Sequence, residues 1–189
     1  FDVDLDRLCA DLKVICEEHL DRMGTPSDLD RYLFQIMVVG NGYGGLEHRT
    51  STSLICKRDD LPRKGEDKIT DGYRTLLALS SHEYFHLWNV KRIKPARFTP
   101  FDLSQESPTT LLWAFEGFTS YYEPLALVRC GIIDRKSWLE LMGRKLTDVM
   151  RRPGRHVQSV ADSSFDAWTK FYQQDEDAPN AIVSYYSKG

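Results

Sequence analysis

The chain has 189 residues, of which 41% are hydrophobic and 28% charged, and its formal net charge is −3. This length and apolar content suit a domain with its own core, whereas the near-neutral charge argues against a protein that binds the nucleic-acid backbone. No stretch approaches the roughly 18 consecutive apolar residues of a transmembrane helix. Neither nucleic acid nor a membrane is therefore an expected partner.

The first third of the chain combines helical and extended patterns. Apolar side chains recur at helical spacing over Asp4–Met23, and Gly24 then ends the helix. A run rich in β-forming residues predicts a strand over residues 32–39, and a second extended segment is predicted over about residues 47–57. His19 follows two glutamates in the first helix and is expected to face solvent.

The remaining two thirds of the chain are predicted to be mainly helical. Periodicity and stop signals predict four helices, of which the second begins at a Ser-Pro pair typical of a helix N-terminus. These helices span residues 71–89, 107–130, 134–152 and 164–172. The pattern predicts an α+β fold in which a small mixed sheet, within a β-rich subdomain at about 25–65, precedes a helical subdomain at about 66–189.

One short sequence is typical of a metal-binding catalytic site. It is His82-Glu83-Tyr84-Phe85-His86, an HExxH sequence in the first of these four helices. Residues four apart on a helix lie one turn apart on the same face, so both imidazoles can reach one point and bind Zn²⁺. Glu83 is displaced sideways, where its carboxylate can act as a general base. A solvated histidine pair is the alternative, but the aromatic neighbours of the pair argue against it.

A catalytic zinc needs a third protein ligand, and a carboxylate is typical of this class. The downstream candidates are Glu106, Glu116 and Glu123. Glu106 lies in a polar loop, whereas Glu116 lies among aromatic residues, where burial of a carboxylate is costly unless a metal compensates. Glu116 is therefore the predicted third ligand. Glu123 is expected either to orient another ligand or to be a solvated or capping residue.

Two longer strings give a family resemblance. HEYFHLWNVKRIKP, over residues 82–95, and WAFEGFTSYY, over residues 113–122, resemble the M61-type glycyl aminopeptidase family of gluzincin zinc metallopeptidases. The gap between His86 and Glu116 is longer than in the related alanyl and leukotriene-hydrolase-type aminopeptidases and fits the glycyl branch. The resemblance covers residues 42–189 and implies a thermolysin-like zincin catalytic domain with one Zn²⁺.

Further site residues follow from the resemblance. The segment from Gly44 and Gly45 to Glu47 is similar to a strand motif in which related aminopeptidases bind the substrate: a glutamate binds the free α-amine, and the glycines let the peptide backbone approach. An ordinary turn with a solvated charge is the alternative. Tyr186 matches the tyrosine of a Tyr-x-Lys-Gly motif, which donates a hydrogen bond to the developing oxyanion and is implied to be catalytic.

Basic residues directly follow the predicted HExxH helix, at Lys91, Arg92 and Lys94. They are expected either to steer the carboxylate of a peptide or to favour the helix C-terminus and pair with nearby acidic groups. The sequence leaves both roles open.

The implied function is a zinc-dependent aminopeptidase that uses a metal-activated water to remove N-terminal residues from peptides, with glycine or alanine implied by the resemblance. A zinc endopeptidase of the same fold and a catalytically inert peptide-binding scaffold are the alternatives. The resemblance also implies that residues 1–189 form a catalytic domain from a longer chain with an N-terminal β-domain and a C-terminal PDZ domain. The expected location is cytoplasmic, with the periplasm as the alternative.

Overall fold

A computed structural model describes residues 2–189. The chain divides into two compact units, both assembled from discontinuous segments. Unit 1 contains the residues up to Arg92 together with Tyr122–Asp134, and unit 2 contains Ile93–Tyr121 and Arg135–Gly189. Over the described residues, no helix combines the length and the apolar character needed to cross a membrane.

Unit 1 contains a small mixed sheet, as the sequence predicts. Its strands are β1 (Leu33–Val39), β2 (Gly44–Glu47) and β3 (Ser51–Lys57). β3 lies in the centre, parallel to β1 and antiparallel to β2. The single extended segment predicted over residues 47–57 is wrong, because the chain reverses after Glu47 and the His48 N–H donates to the Ser51 carbonyl.

Two helices of unit 1 pack against each other, and one of them covers the sheet. α1 (Leu5–Met23) begins at Asp4, whose carboxylate accepts a hydrogen bond from the Arg7 N–H, and α2 (Asp71–Phe85) contacts α1, β2 and β3. α2 ends four residues earlier than predicted. After Phe85 the backbone tightens, because Leu87 and Trp88 donate to carbonyls only three residues back.

His19 is buried in unit 1, so the prediction that it faces solvent is wrong. Its side chain extends the buried stripe of α1, which is formed at helical spacing by Leu8, Leu12 and Ile15. Its Nε2 lies 2.8 Å from the Ser81 hydroxyl oxygen on α2. The two glutamates that precede His19 lie on other faces of the helix, and therefore do not report its burial.

An aromatic cluster forms the core beneath the C-terminal end of α2. Tyr84, Phe85, Leu87 and Trp88 are buried, and partly buried side chains from α1, β1 and Tyr122 pack around them. The Trp88 indole N–H also donates to the carbonyl of the residue that ends α1, at 3.0 Å. This packing fixes the end of α2, where the HExxH histidines lie.

Unit 2 is helical throughout its regular elements. A π-helical segment at Trp113–Gly117 continues into α3 (Phe118–Arg129), which belongs to unit 1 from Tyr122 onward. The other α- and π-helical elements are α4 (Arg135–Arg151), α5 (Val160–Phe165), a second π-helical segment (Ala167–Phe171), α6 (Ala178–Ala181) and α7 (Tyr185–Lys188).

Two helix predictions in unit 2 need correction. The helix predicted from residue 107 begins only at the segment around Trp113, because the Thr109 hydroxyl accepts a hydrogen bond from the Leu111 N–H and competes with helical hydrogen bonding. The helix predicted over residues 164–172 is instead the end of α5 followed by a separate π-helical segment. The prediction for α4 is confirmed to within one residue at each end.

Candidate metal centre

The two histidines of the HExxH sequence lie side by side at the end of α2. His82 is 8% exposed and His86, the C-cap residue, is 1% exposed. Their ring centroids are 4.7 Å apart and their planes are nearly perpendicular. The final helical turn therefore brings two imidazoles together although α2 itself stops before His86.

Each imidazole is oriented by an oxygen on its Nδ1 side. His82 Nδ1 lies 2.8 Å from Glu123 Oε2, and His86 Nδ1 lies 2.7 Å from the Asn89 carbonyl oxygen. A carbonyl only accepts hydrogen bonds, so His86 Nδ1 carries the proton and Nε2 is the nitrogen through which this ring would bind a metal. Carboxylate and carbonyl partners behind the ligating imidazoles are typical of zinc sites.

A strained turn follows α2 and supplies the carbonyl that His86 requires. Val90 has a φ of 152°, which β-branched residues rarely adopt. The Lys91 N–H donates to the His86 carbonyl across this turn. The sequence gives no sign of this turn, since Asn89 and Val90 belong to no turn motif. The Asn89 carbonyl is therefore a functional group that sequence reasoning did not find.

Glu83 is also buried, at 5% exposure, and its side chain lies against β2. An added Cβ on Gly45 would lie 2.6 Å from Glu83 Cγ, closer than real side-chain contacts allow. Glu47, Glu83 and His86 each place a potential ligand atom within 4.8 Å of the others. Unit 1 thus brings together four of the predicted site residues: His82, Glu83, His86 and Glu47.

Glu47 forms an ion pair with the ammonium group of Lys91. Its Oε1 lies 3.1 Å from Lys91 Nζ, and both side chains are largely shielded from solvent. Glu47 pairs in register with Thr52, which is fully buried, so its side chain points to the face of the sheet that α2 covers. Of the two roles open to Lys91, pairing with a nearby acid is the one that the structure supports.

Glu116 and Tyr186 lie in unit 2, where they line the same cavity of about 290 Å³. Glu116 belongs to the π-helical segment Trp113–Gly117 and Tyr186 to α7, and both are partly buried. Burial, together with the negative charge of Glu116, raises the pKa of the Tyr186 phenol well above its usual range. Tyr186 therefore remains protonated and is able to donate a hydrogen bond.

The rest of the Tyr-x-Lys-Gly sequence fixes α7 in place. Lys188 Nζ donates to the carbonyls of Arg155 and Gln158, at 2.8 and 3.2 Å. Gly117 and Gly189 approach so closely that an added Cβ on Gly117 would lie 2.7 Å from the Gly189 Cα. These contacts hold α7 against the segment that carries Glu116.

Comparison with known proteins identifies the family of this chain. The family model of the M61 glycyl aminopeptidase matches residues 75–189. This chain belongs to that family. The matched region includes every residue of the HExxH sequence, Glu116 and Tyr186, whereas the segment around Glu47 precedes it.

A solved structure extends the comparison to the entire chain of this M61 family member. It is the crystal structure of an aminopeptidase N family protein from Idiomarina loihiensis, with 50% sequence identity and a TM-score of 0.96. The similarity covers 100% of this chain and 32% of that one, so this chain spans about a third of that protein's length. A search of curated proteins gave no match. The family and the protein of the solved structure are both named as aminopeptidases.

Proposed function

We propose that this chain carries the catalytic site of a zinc-dependent aminopeptidase with a thermolysin-like zincin fold. The observation that carries the proposal is the pair of buried imidazoles, both of whose Nδ1 atoms face an oxygen. His82, His86 and Glu116 would hold one Zn²⁺. When bound, zinc would act as a Lewis acid that polarises the scissile carbonyl and activates the attacking water.

Among the carboxylates, Glu116 is the best third ligand. Glu123 contacts His82 Nδ1, so it is a partner of a ligand. Glu106 is exposed, and Glu47 forms an ion pair with Lys91. Glu116 is partly buried and lines a cavity together with Tyr186, the proposed oxyanion donor.

Glu83 and Tyr186 would carry out the proton chemistry. Glu83 accepts a proton from the attacking water and passes it to the leaving amine, as a general base and then a general acid. Tyr186 donates its phenol hydrogen bond to the oxygen that becomes negative in the tetrahedral state. Its raised pKa favours this role, because a phenolate could not donate.

Glu47 would select peptides with a free N-terminus. Its carboxylate already binds the Lys91 ammonium, and a substrate α-ammonium presents the same charge and the same donors. Substrate binding would replace or share this ion pair. Preference for glycine or alanine at the N-terminus rests on the family alone.

The first experiment tests the zinc and Glu83 assignments together. Glu83→Gln should retain stoichiometric zinc, since Glu83 is not a proposed ligand, and should lower kcat on alanyl and glycyl anilides by about 10³-fold or more, as general-base removal does. Elemental analysis and steady-state kinetics measure the two effects. A Glu83→Gln protein with wild-type turnover would contradict the proposal, as would an absence of zinc from the purified wild-type protein.

A second experiment tests exopeptidase action. Peptides with a free N-terminus should be cleaved, and their N-acetylated counterparts should not, because the acetyl group removes the charge that Glu47 binds. Equal cleavage of both would identify an endopeptidase and remove Glu47 from the scheme. Cleavage of neither, with zinc bound, would identify an inert peptide-binding scaffold.

A further inference from the structure

Gly45 lies where any side chain would collide with Glu83. An ideal Cβ on Gly45 would stand 2.6 Å from Glu83 Cγ, and it would overlap the carboxyl group as well. The backbone of Gly45 does not lie in the left-handed region, unlike that of Gly24, Gly65 and Gly131. Alanine is therefore conformationally acceptable at residue 45, and the constraint there is space alone.

The register of the sheet explains this contact. Gly45 pairs with Leu54, which is buried on the face of the sheet that α2 covers, so a side chain at residue 45 would point toward α2. Gly44 pairs with Ile55, which is exposed on the opposite face, and an added Cβ at Gly44 meets nothing within 4 Å. Two adjacent glycines thus differ completely in what they face.

We propose that Gly45 is a positioning residue for Glu83: the missing side chain lets the Glu83 carboxyl lie against β2, and β2 forms the wall that fixes its orientation. The sequence assigned Gly45 to the approach of the peptide backbone, whereas this contact assigns it to the general base. The inference deepens the proposed function and rests on it for its catalytic consequence, although the contact itself does not.

A stability cycle tests the contact without any substrate. Gly45→Ala should lower the Tm in the wild-type background, because overpacking strains the site, and should leave the Tm unchanged or raised in a Glu83→Ala background. Gly44→Ala is the matched control and should lower the Tm in neither background. An equal loss of Tm from Gly45→Ala in both backgrounds would show that Glu83 is not the group it meets, and would overturn the proposal.

Kinetics test the consequence for catalysis. Gly45→Ala should lower kcat by about 10²-fold, as a displacement of about 1 Å in a catalytic group does, with KM and zinc content nearly unchanged. Gly143→Ala, in exposed α4, controls for the substitution itself and should leave kcat unchanged. A raised KM with wild-type kcat would return Gly45 to substrate binding and overturn the positioning role. If the wild-type protein proves inactive, the proposed function fails while the stability cycle still decides the contact.

Discussion

At the scale of single residues, the hydrogen-bond partners of the two histidines determine whether their imidazoles are oriented for metal binding. Glu123 shows this most clearly, because its carboxylate lies 2.8 Å from His82 Nδ1 while its backbone carbonyl accepts a hydrogen bond from the Ser81 hydroxyl. The same residue thereby orients the ring and joins α3 to α2. From the sequence, Glu123 had two open roles, and the structure supports the one in which it orients a histidine of the HExxH sequence.

Glu123→Ala should weaken zinc binding by about 10- to 100-fold, since loss of a carboxylate behind a ligating histidine removes both its orientation and some of its basicity. Competition with a calibrated chelator measures the affinity. Glu18→Ala is the control, because Glu18 also presents a carboxylate to α3, 3.8 Å from Arg129, but remote from either histidine. Equal affinities of Glu123→Ala and the wild-type protein would contradict the orienting role.

At the scale of elements, the contact between α1 and α2 contains a buried polar pair. The Ser81 hydroxyl donates its proton to the Glu123 carbonyl, so His19 Nε2 must be the donor to the Ser81 oxygen. Burial lowers the pKa of His19 to about 4, from an ordinary value near 6.5. His19 is therefore neutral in the folded protein at neutral pH, and α1 supports the HExxH helix through it.

This arrangement predicts a pH dependence of stability. The pKa of His19 is lower in the folded than in the unfolded state, so its contribution is fully present above about pH 6.5 and is lost as the pH falls toward 4. The free energy of unfolding of the metal-free protein should fall over this range by up to about 3 kcal/mol on account of His19. Urea unfolding of wild type and His19→Gln, which keeps a donor but does not titrate, measures this difference.

The control for this prediction is His156→Gln, because His156 is exposed. It should follow the wild-type pH profile, whereas His19→Gln should give a shallower one. Identical profiles for His19→Gln and wild type would show that His19 does not titrate with a lowered pKa.

The elements that the sequence predicted well are those with strong local signals. α1, β1 and α4 have clear periodicity and clear ends, and all three are confirmed to within one residue at each end. The hairpin of β2 and β3 was missed because Gly44 and Gly45, which usually mark a turn, lie within a strand. Gly45 also lies against Glu83, thirty-eight residues later, and no local pattern reveals this contact.

The site shows the same division between local and distant signals. The HExxH sequence follows from spacing on one helix, and the structure places its residues as that spacing predicts. The Asn89 carbonyl depends on a strained turn and the Lys91 ion pair on a strand distant in sequence. Backbone groups and long-range ion pairs have no sequence signature, so these parts of the site could not be predicted from the sequence.

At the scale of the whole molecule, each compact unit is built from two separate segments, and the proposed zinc ligands are widely separated in the sequence. His82 and His86 belong to unit 1, and Glu116 belongs to unit 2. A metal bound by all three would hold together side chains that lie far apart in the sequence. Zinc would then contribute to stability as well as to catalysis, because a ligand that binds only the folded state stabilises that state.

Addition of Zn²⁺ to the metal-free protein should therefore raise its Tm, by about 10 °C when free zinc is about 1,000 times the dissociation constant, which corresponds to about 4 kcal/mol in a chain of this size. Glu116→Ala should lose most of this shift at the same zinc concentration, because two histidines alone bind far more weakly. Glu106→Ala is the control, since Glu106 lines the same cavity of unit 2 but is exposed. Differential scanning calorimetry with and without zinc measures all three proteins. A full shift in Glu116→Ala would exclude Glu116 as a ligand, and loss of the shift in Glu106→Ala instead would identify Glu106 as the third carboxylate.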